Sequence, residues 1–239
     1  MIVAPSPPAP DRQAGPPVGE PTGGPGVHIP PEFQPLRMIA MQRIFLAVTL
    51  WAAMIPGALA EPATATGSAT AMFAGGCFWC MESAFQQREG VSDVVSGFTG
   101  GSLPNPTYKG DHSGHYEAIK VTYDPAIISY PELLQLYWVN VDPFDNTGQF
   151  CDKGPSYRSA LFPATEDEAR LAQESRAAVA ERFAPEEVYT EILPAGAFWP
   201  VEEVHQDYYL KNPVRYNYYR WNCGRDQRLQ QIWGEASGH

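Results

Sequence analysis

Gly75-Gly76-Cys77-Phe78-Trp79-Cys80-Met81-Glu82 concentrates the reactive side chains of this 239-residue chain. A short apolar run, Thr70 to Ala74, precedes it and reads as a buried strand, and the two glycines allow a sharp turn. The pattern predicts a helix from Cys77 to about Gln87. Cys77 then falls in the first turn, where unpaired N–H groups and the helix dipole stabilise an anion. A thiolate so placed has its pKa lowered from about 8.5 towards neutrality. That makes Cys77 a candidate nucleophile; the competing reading is an inert thiol packed as a small hydrophobe. Cys77 and Cys80 also spell C-x-x-C, which suits a redox pair or half of a zinc site. Zinc needs further ligands at proper spacing. His112 and His115 are the available pair, and Cys151 and Cys223 stand alone, so a polar-loop role for the histidines is preferred and no metal is expected.

A carboxyl group offers the complementary chemistry. Glu117 to Tyr123 alternates as a strand, and Glu117 shares a face with Ile119, Val121 and Tyr123. Pointing with the apolar set, its carboxyl would be buried, and burial keeps a proton available near neutral pH. A solvated glutamate at a strand end fits the pattern equally well.

The positioning elements follow from periodicity and caps. Ser92 to Phe98 is a second strand, and residues 97–114, rich in Gly, Pro, Asn, Asp and Ser, form a loop. Ser129 with Glu132 makes a capping box before the apolar run Leu133 to Val139, a buried helix. Residues 142–156 read as loop and Ser159 to Phe162 as a short strand. Thr165 with Glu168 opens another helix, with Leu171, Ser175, Ala178, Val179 and Phe183 along one face. Val188 to Leu193 alternates as a last strand. The aromatic, polar segment from Glu202 to Trp233 reads as a long, partly helical and irregular tail. Helices interleave with strands, but two strands run together across the 99–116 loop. This predicts an α+β fold: a two-layer sandwich on a mixed sheet with a ferredoxin-like core.

Composition bounds the function. Hydrophobic residues are 44% and charged residues 18%, which fits a packed core, and the net charge of −11 lacks the basic footprint of a nucleic-acid binder. Four cysteines are too few for a disulfide-built scaffold. Residues 1–36 carry 11 of the 24 prolines and few large apolar side chains, so they read as a disordered extension or as sequence upstream of a misplaced start. Arg37 and Arg43 flank an apolar run from Ile44 to Ile55, broken by Pro56-Gly57 and followed by Ala58-Leu59-Ala60. These are the parts of a signal peptide over 37–60, with cleavage after Ala60 and an uncleaved membrane anchor as the alternative. Residues 61–69 then form a tether, 70–233 the domain and 234–239 a tail. The expected location is periplasmic or secreted.

Five separate motifs in order, GCFWCME, TGGSLPNPTY, SGHYEAIKVTYDP, DKGPSYRSALF and HQDYYLKNP, give residues 70–233 a resemblance to the A-type peptide methionine sulfoxide reductases. The resemblance implies reduction of methionine S-sulfoxide, free or in proteins, without metal or organic cofactor. It implies Cys77 as the nucleophile, Glu117 as the acid, and Tyr108 and Tyr157 as hydrogen-bond partners of the sulfoxide oxygen. Asp152 supports Tyr157, and Phe78 and Trp79 wall the pocket for the methyl group on sulfur. Cys223 is implied as the thiol that resolves a Cys77 sulfenic acid into a disulfide, ahead of its rivals Cys80 and Cys151. A thioredoxin-like donor would reduce that disulfide. The enzyme is expected to be a monomer that meets no nucleic acid, and a membrane only through an uncleaved leader. A different class stays open on the residues alone: a thiol-disulfide oxidoreductase using Cys77 and Cys80.

Overall fold

The computed structural model describes residues 67–237. The stretches expected to be extension, signal peptide and most of a tether therefore lie outside the described residues, as do the last two residues of the chain. Among the described residues no helix is long and apolar enough to cross a membrane.

Strand β1 (Ala69–Gly75) leads through Gly76, at φ 80°, into helix α1 (Phe78–Gln86). A Cβ on Gly76 would lie 2.5 Å from the Gln149 side chain, so both the turn and the packing require glycine there. Strands β2 (Val91–Thr99) and β3 (Tyr116–Tyr123) follow, separated by the polar loop. Helix α2 (Tyr130–Trp138) starts at the Ser129/Glu132 capping box, worth about 1 kcal/mol. A two-stranded ribbon, β4 (Gly148–Gln149) and β5 (Asp152–Lys153), lies inside the segment read as loop. After β6 (Ser159–Leu161) comes α3 (Glu166–Arg182), capped by Thr165.

The main sheet is mixed and six-stranded, in the order β7-β6-β1-β3-β2-β8, with β7 (Glu191–Ile192) parallel to β6 and every other neighbouring pair antiparallel. The mixed α/β architecture agrees with the sequence expectation. The core between sheet and helices is built on Phe73, Phe85, Ile119, Val121, Leu133 and Tyr137, all fully buried.

Three expectations need correction. The last strand is only Glu191–Ile192 rather than 188–193, because Val188 and Thr190 are buried from an extended segment whose carbonyls accept from Arg176 instead of a strand. On α3, Ala172 and Val179 are buried while Ala178 is exposed. The segment after β8 (Trp199–Pro200) is not irregular: it forms α4 (Tyr208–Lys211), α5 (Pro213–Asn222) and α6 (Arg225–Trp233). Pro213 at the start of α5 suits the first helical position, and Gly224, at φ 69°, turns the chain from α5 into α6.

Candidate active site

Cys77 is the N-cap residue of α1, one position earlier than the spacing predicts, and only 5% exposed. The first free amide of the helix, Phe78 N–H, donates to Glu117 Oε2 at 3.1 Å. That helix end is thus occupied by a carboxyl from the neighbouring strand β3, not by the cysteine sulfur. Glu117 is 2% exposed, which settles its strand face in favour of the buried reading. Burial first, and Asp152 less strongly, push its pKa up to about 8 against the opposing bonds from Phe78 N–H and Tyr157. A carboxyl in this state holds a proton at neutral pH.

The thiols differ from expectation. Burial, a hydrogen bond with Cys80 and the nearby Glu117 push the Cys77 thiol well above its ordinary value. Cys80, 1% exposed, is lowered to about 6, chiefly by the hydrogen bond from Cys77 and then by Arg225 and Arg220. Of the two hydrogen-bonded thiols, Cys80 is the one whose surroundings favour the anion. The lowering expected of Cys77 goes to its neighbour, because two arginines face Cys80 while Glu117 faces Cys77.

Cys77, Phe78, Trp79, Tyr108, Glu117, Asp152, Tyr157 and Tyr219 line one cavity of about 50 Å³. Every sequence-predicted site residue except Cys223 is among them. The volume suits a group of methyl size. Phe78 is fully buried against Phe98, at 5.9 Å between ring centroids, and Tyr108, at 6.0 Å. Trp79 stacks on Tyr208 with centroids 3.8 Å apart and on His205 at 5.7 Å. Burial and the neighbouring Glu117 push the Tyr108 hydroxyl up to about 12 and Tyr157 higher still, so both remain hydrogen donors. Asp152 accepts from the Tyr219 hydroxyl, and its carboxyl is raised, mainly by burial.

Sequence reasoning missed Tyr219, His205 and Tyr208. All three come from the segment read as a tail, where twelve tyrosines in the chain dilute any single one as a signal. The HQDYY string holds two of them. The reason it comes so close to the cavity is hydrogen bonding. The Gln206 side-chain amide pairs with both Ser96 backbone groups, and Asp207 N–H donates to Glu82 Oε1 at 2.9 Å.

Cys223 is disulfide-bonded to Cys151, across 72 residues. Cys77 and Cys80 are free thiols. Cys223 sits at the C-cap of α5, where Tyr219, one turn earlier, reaches Asp152 and brings the β5 ribbon beside the helix end. His112 and His115 do not converge with cysteines. His112 Nδ1 donates to the Thr107 carbonyl, and His115 donates through Nε2 to Leu103 O and accepts at Nδ1 from Gly101 N–H, as loop-forming residues do.

Two cysteine pairs in different oxidation states, one enclosed and one near the surface, mark a thiol-dependent oxidoreductase on a mixed α/β sheet. Residues 69–237 match the family model for peptide methionine sulfoxide reductase, and the chain belongs to that family. A Caulobacter vibrioides peptide methionine sulfoxide reductase MsrA 2 is 50% identical over 192 residues, covering 78% of this chain and 97% of that protein. A Bacillus licheniformis peptide methionine sulfoxide reductase MsrA is 47% identical over 168 residues, 69% of this chain and 93% of its own. Among solved structures, methionine sulfoxide reductase A of Corynebacterium diphtheriae superimposes with a TM-score of 0.59 at 34% identity, over 62% of this chain and 77% of that one. The protein is an enzyme that reduces methionine sulfoxide.

Proposed function

We propose that the cavity binds the sulfoxide of methionine S-sulfoxide, with its methyl group between Phe78 and Trp79 and its oxygen towards Tyr108, Tyr157 and Glu117. The observation that carries this reading is a protonated, buried Glu117 in the same small cavity as a buried thiol. A sulfoxide oxygen departs poorly from sulfur until it is protonated, so nucleophile and acid must meet one substrate together. Cys77 passes its proton to the Cys80 thiolate and attacks the substrate sulfur, while Glu117 protonates the oxygen. The oxygen ends on Cys77 as a sulfenic acid, methionine leaves, and the proton on Cys80 is available to restore Glu117. Asp152 fixes the Tyr219 hydroxyl at the cavity wall.

Cys223 then attacks the Cys77 sulfenic acid and water leaves, forming a Cys77–Cys223 disulfide. Cys151 displaces Cys77 from it, giving the Cys151–Cys223 bond and a free Cys77, the state described here. A thioredoxin-like dithiol protein reduces that bond. Cys80, hydrogen-bonded to Cys77, is the rival resolving thiol. Single-turnover reduction of a methionine sulfoxide peptide tests the scheme. One equivalent of methionine should form in Cys223→Ser with a sulfenic acid left on Cys77; a Cys77–Cys80 disulfide instead would transfer the resolving role to Cys80.

The rival class, a C-x-x-C exchanger acting on protein disulfides, is disfavoured by enclosure. Cys77 and Cys80 are 5% and 1% exposed, so a protein disulfide does not reach them. We read the β1-α1-β2-β3-α2-β6 core as ferredoxin-like and the enzyme as a monomer. We place it outside the cytoplasm, on the leader pattern of residues 37–60, with Glu61 as the first residue after cleavage. Its substrates there are oxidised proteins and free methionine sulfoxide.

A further inference from the structure

Helix α5 has two faces of different chemistry. On the inner face Tyr216 is 4% exposed, and Tyr216, Tyr219 and Arg220 act on the buried Cys77/Cys80 pair. On the outer face Val214, Tyr218 and Trp221, at helical spacing i, i+4 and i+7, are 83%, 66% and 69% exposed. The Tyr218 and Trp221 rings lie 6.2 Å apart and form one aromatic patch. Aromatic side chains grouped in the open at one helix end are a usual mark of an interaction site. Helix α5 carries no acidic residue, and of its two arginines Arg215 is exposed whereas Arg220 points inward and pairs with Asp226. The helix ends on Cys223, whose disulfide partner Cys151 is exposed. The patch is therefore continuous with the one bond that an outside reductant has to reach.

We propose that the Val214/Tyr218/Trp221 face of α5 seats the dithiol protein that reduces the Cys151–Cys223 disulfide, and that the thiolate of that protein attacks Cys151. This rests on reading the disulfide as the point where electrons enter the cycle. Access selects the sulfur: Cys151 is exposed, whereas Cys223 is half-buried. Electrostatics selects it again. Cys151 N–H donates to Cys223 Sγ at 3.2 Å, which stabilises negative charge on Cys223 as it leaves. Asp152 Oδ1 stands 3.9 Å from Cys151 Sγ, which opposes a departing charge there. The reductant thiolate forms a bond to Cys151 Sγ, the Cys151–Cys223 bond breaks, and its electron pair goes to Cys223. The second thiol of the reductant, losing its proton, then attacks the mixed disulfide at the reductant's own sulfur and expels Cys151. Cys151 and Cys223 end as a dithiol and the reductant as a disulfide. An aromatic and apolar seat suits a partner with an apolar rim around its thiol. Three anchoring side chains suit a complex that must part after every turnover.

The test uses the full chain with thioredoxin, thioredoxin reductase and NADPH as one electron source and dithiothreitol as the other. The double variant Tyr218→Ser/Trp221→Ser should raise KM for thioredoxin about tenfold. Its dithiothreitol-driven turnover and its KM for the sulfoxide peptide should stay within twofold of the parent. A thioredoxin carrying serine for its second cysteine, mixed with oxidised enzyme, should be trapped on Cys151 in peptide mass mapping. An unchanged KM for thioredoxin overturns the docking face. A rise confined to the peptide KM assigns the patch to the protein substrate instead, and a dimer that the substitutions dissociate assigns it to a second copy of the chain. An adduct on Cys223 overturns the choice of sulfur. Absence of dithiothreitol-driven turnover in the parent would count against the functional reading itself, which keeps the two failures apart.

Discussion

The two cysteine pairs of this protein differ in element, exposure and oxidation state. Cys77 and Cys80 lie at the start of α1 and are enclosed by aromatic rings and a protonated carboxyl. Cys151 and Cys223 join a ribbon to the end of α5, and Cys151 faces solvent. The difference teaches that burial divides the labour. Oxygen transfer needs a dry cavity where Glu117 keeps its proton and water does not compete. Electron supply needs a sulfur that another protein can touch. One pair could not meet both conditions, because enclosure that raises Glu117 to about 8 also bars a macromolecular thiol. The inner residues of α5 connect the two: Tyr219 lines the cavity and sits one turn from Cys223.

The sharpest way to break this division is to remove one sulfur at a time. Cys77→Ser should abolish methionine formation even in a single turnover. Cys151→Ser should leave the single turnover intact and stop only thioredoxin-driven cycling. Rapid-quench assays of methionine release read both. If Cys151→Ser lost the first turnover as well, the surface pair would belong to the chemistry and the division would fail.

Glu117→Gln attacks the enclosed side of the comparison. Gln keeps an acceptor for Phe78 N–H but has no proton to give, so the chemical step should slow by about 10²–10³-fold. The parent should lose activity as pH rises through about 8, where Glu117 ionises, and this limb should vanish in the variant. On the acid side, Cys80 must be ionised to receive the Cys77 proton, so activity should fall as pH drops through about 6. Cys80→Ser should then cost roughly tenfold in the chemical step and displace that acid limb, while sparing the Cys151–Cys223 disulfide. Single-turnover rates between pH 5 and 9 decide each case. An unchanged acid limb in Cys80→Ser would remove Cys80 as the proton acceptor.

Much of the enclosed site was legible in the sequence, because its parts lie on elements with strong local signals. The apolar run before Gly75-Gly76 specified β1 and the turn, and the alternation from Glu117 to Tyr123 specified β3, while a buried and a solvated Glu117 fitted it equally well. The surface side was much less legible. Four cysteines allow three full pairings, and nothing local to Cys151 says that β5 comes to the end of α5. Helices α4 and α5 carry tyrosines on several faces, so no apolar stripe separates Tyr219, which lines the cavity, from Tyr218, which is exposed. The exchange of acidity between Cys77 and Cys80 was hidden for a related reason. It depends on Arg220 and Arg225, roughly 140 residues away in the chain, and on Glu117 occupying the helix amide. Local spacing reports helix ends well and reports poorly what a distant segment puts against them.

The gentlest test asks what enclosure costs the fold. An ordinary glutamate ionises near pH 4.3 in an unfolded chain, whereas folded Glu117 holds its proton to about 8. Between those values the folded state binds a proton that the unfolded state has released, so stability is full below about pH 4.3 and falls as pH rises towards 8. Glu117→Gln does not ionise and escapes this loss. The variant should therefore be the more stable protein at pH 7.5, by roughly 4 kcal/mol or about ten degrees in Tm, and the difference should close near pH 4.5. The opposite pair Cys151/Cys223 offers the control. Serine at Cys151 opens a loop of 72 residues and should destabilise by about 4 kcal/mol at either pH, since no carboxyl proton is involved. Thermal melts of the three proteins at the two pH values check both signs at once. A Glu117→Gln variant less stable than the parent at pH 7.5 would mean that Glu117 is ionised in the folded protein, and the acid it supplies to the sulfoxide would have to come from Tyr108 or Tyr157.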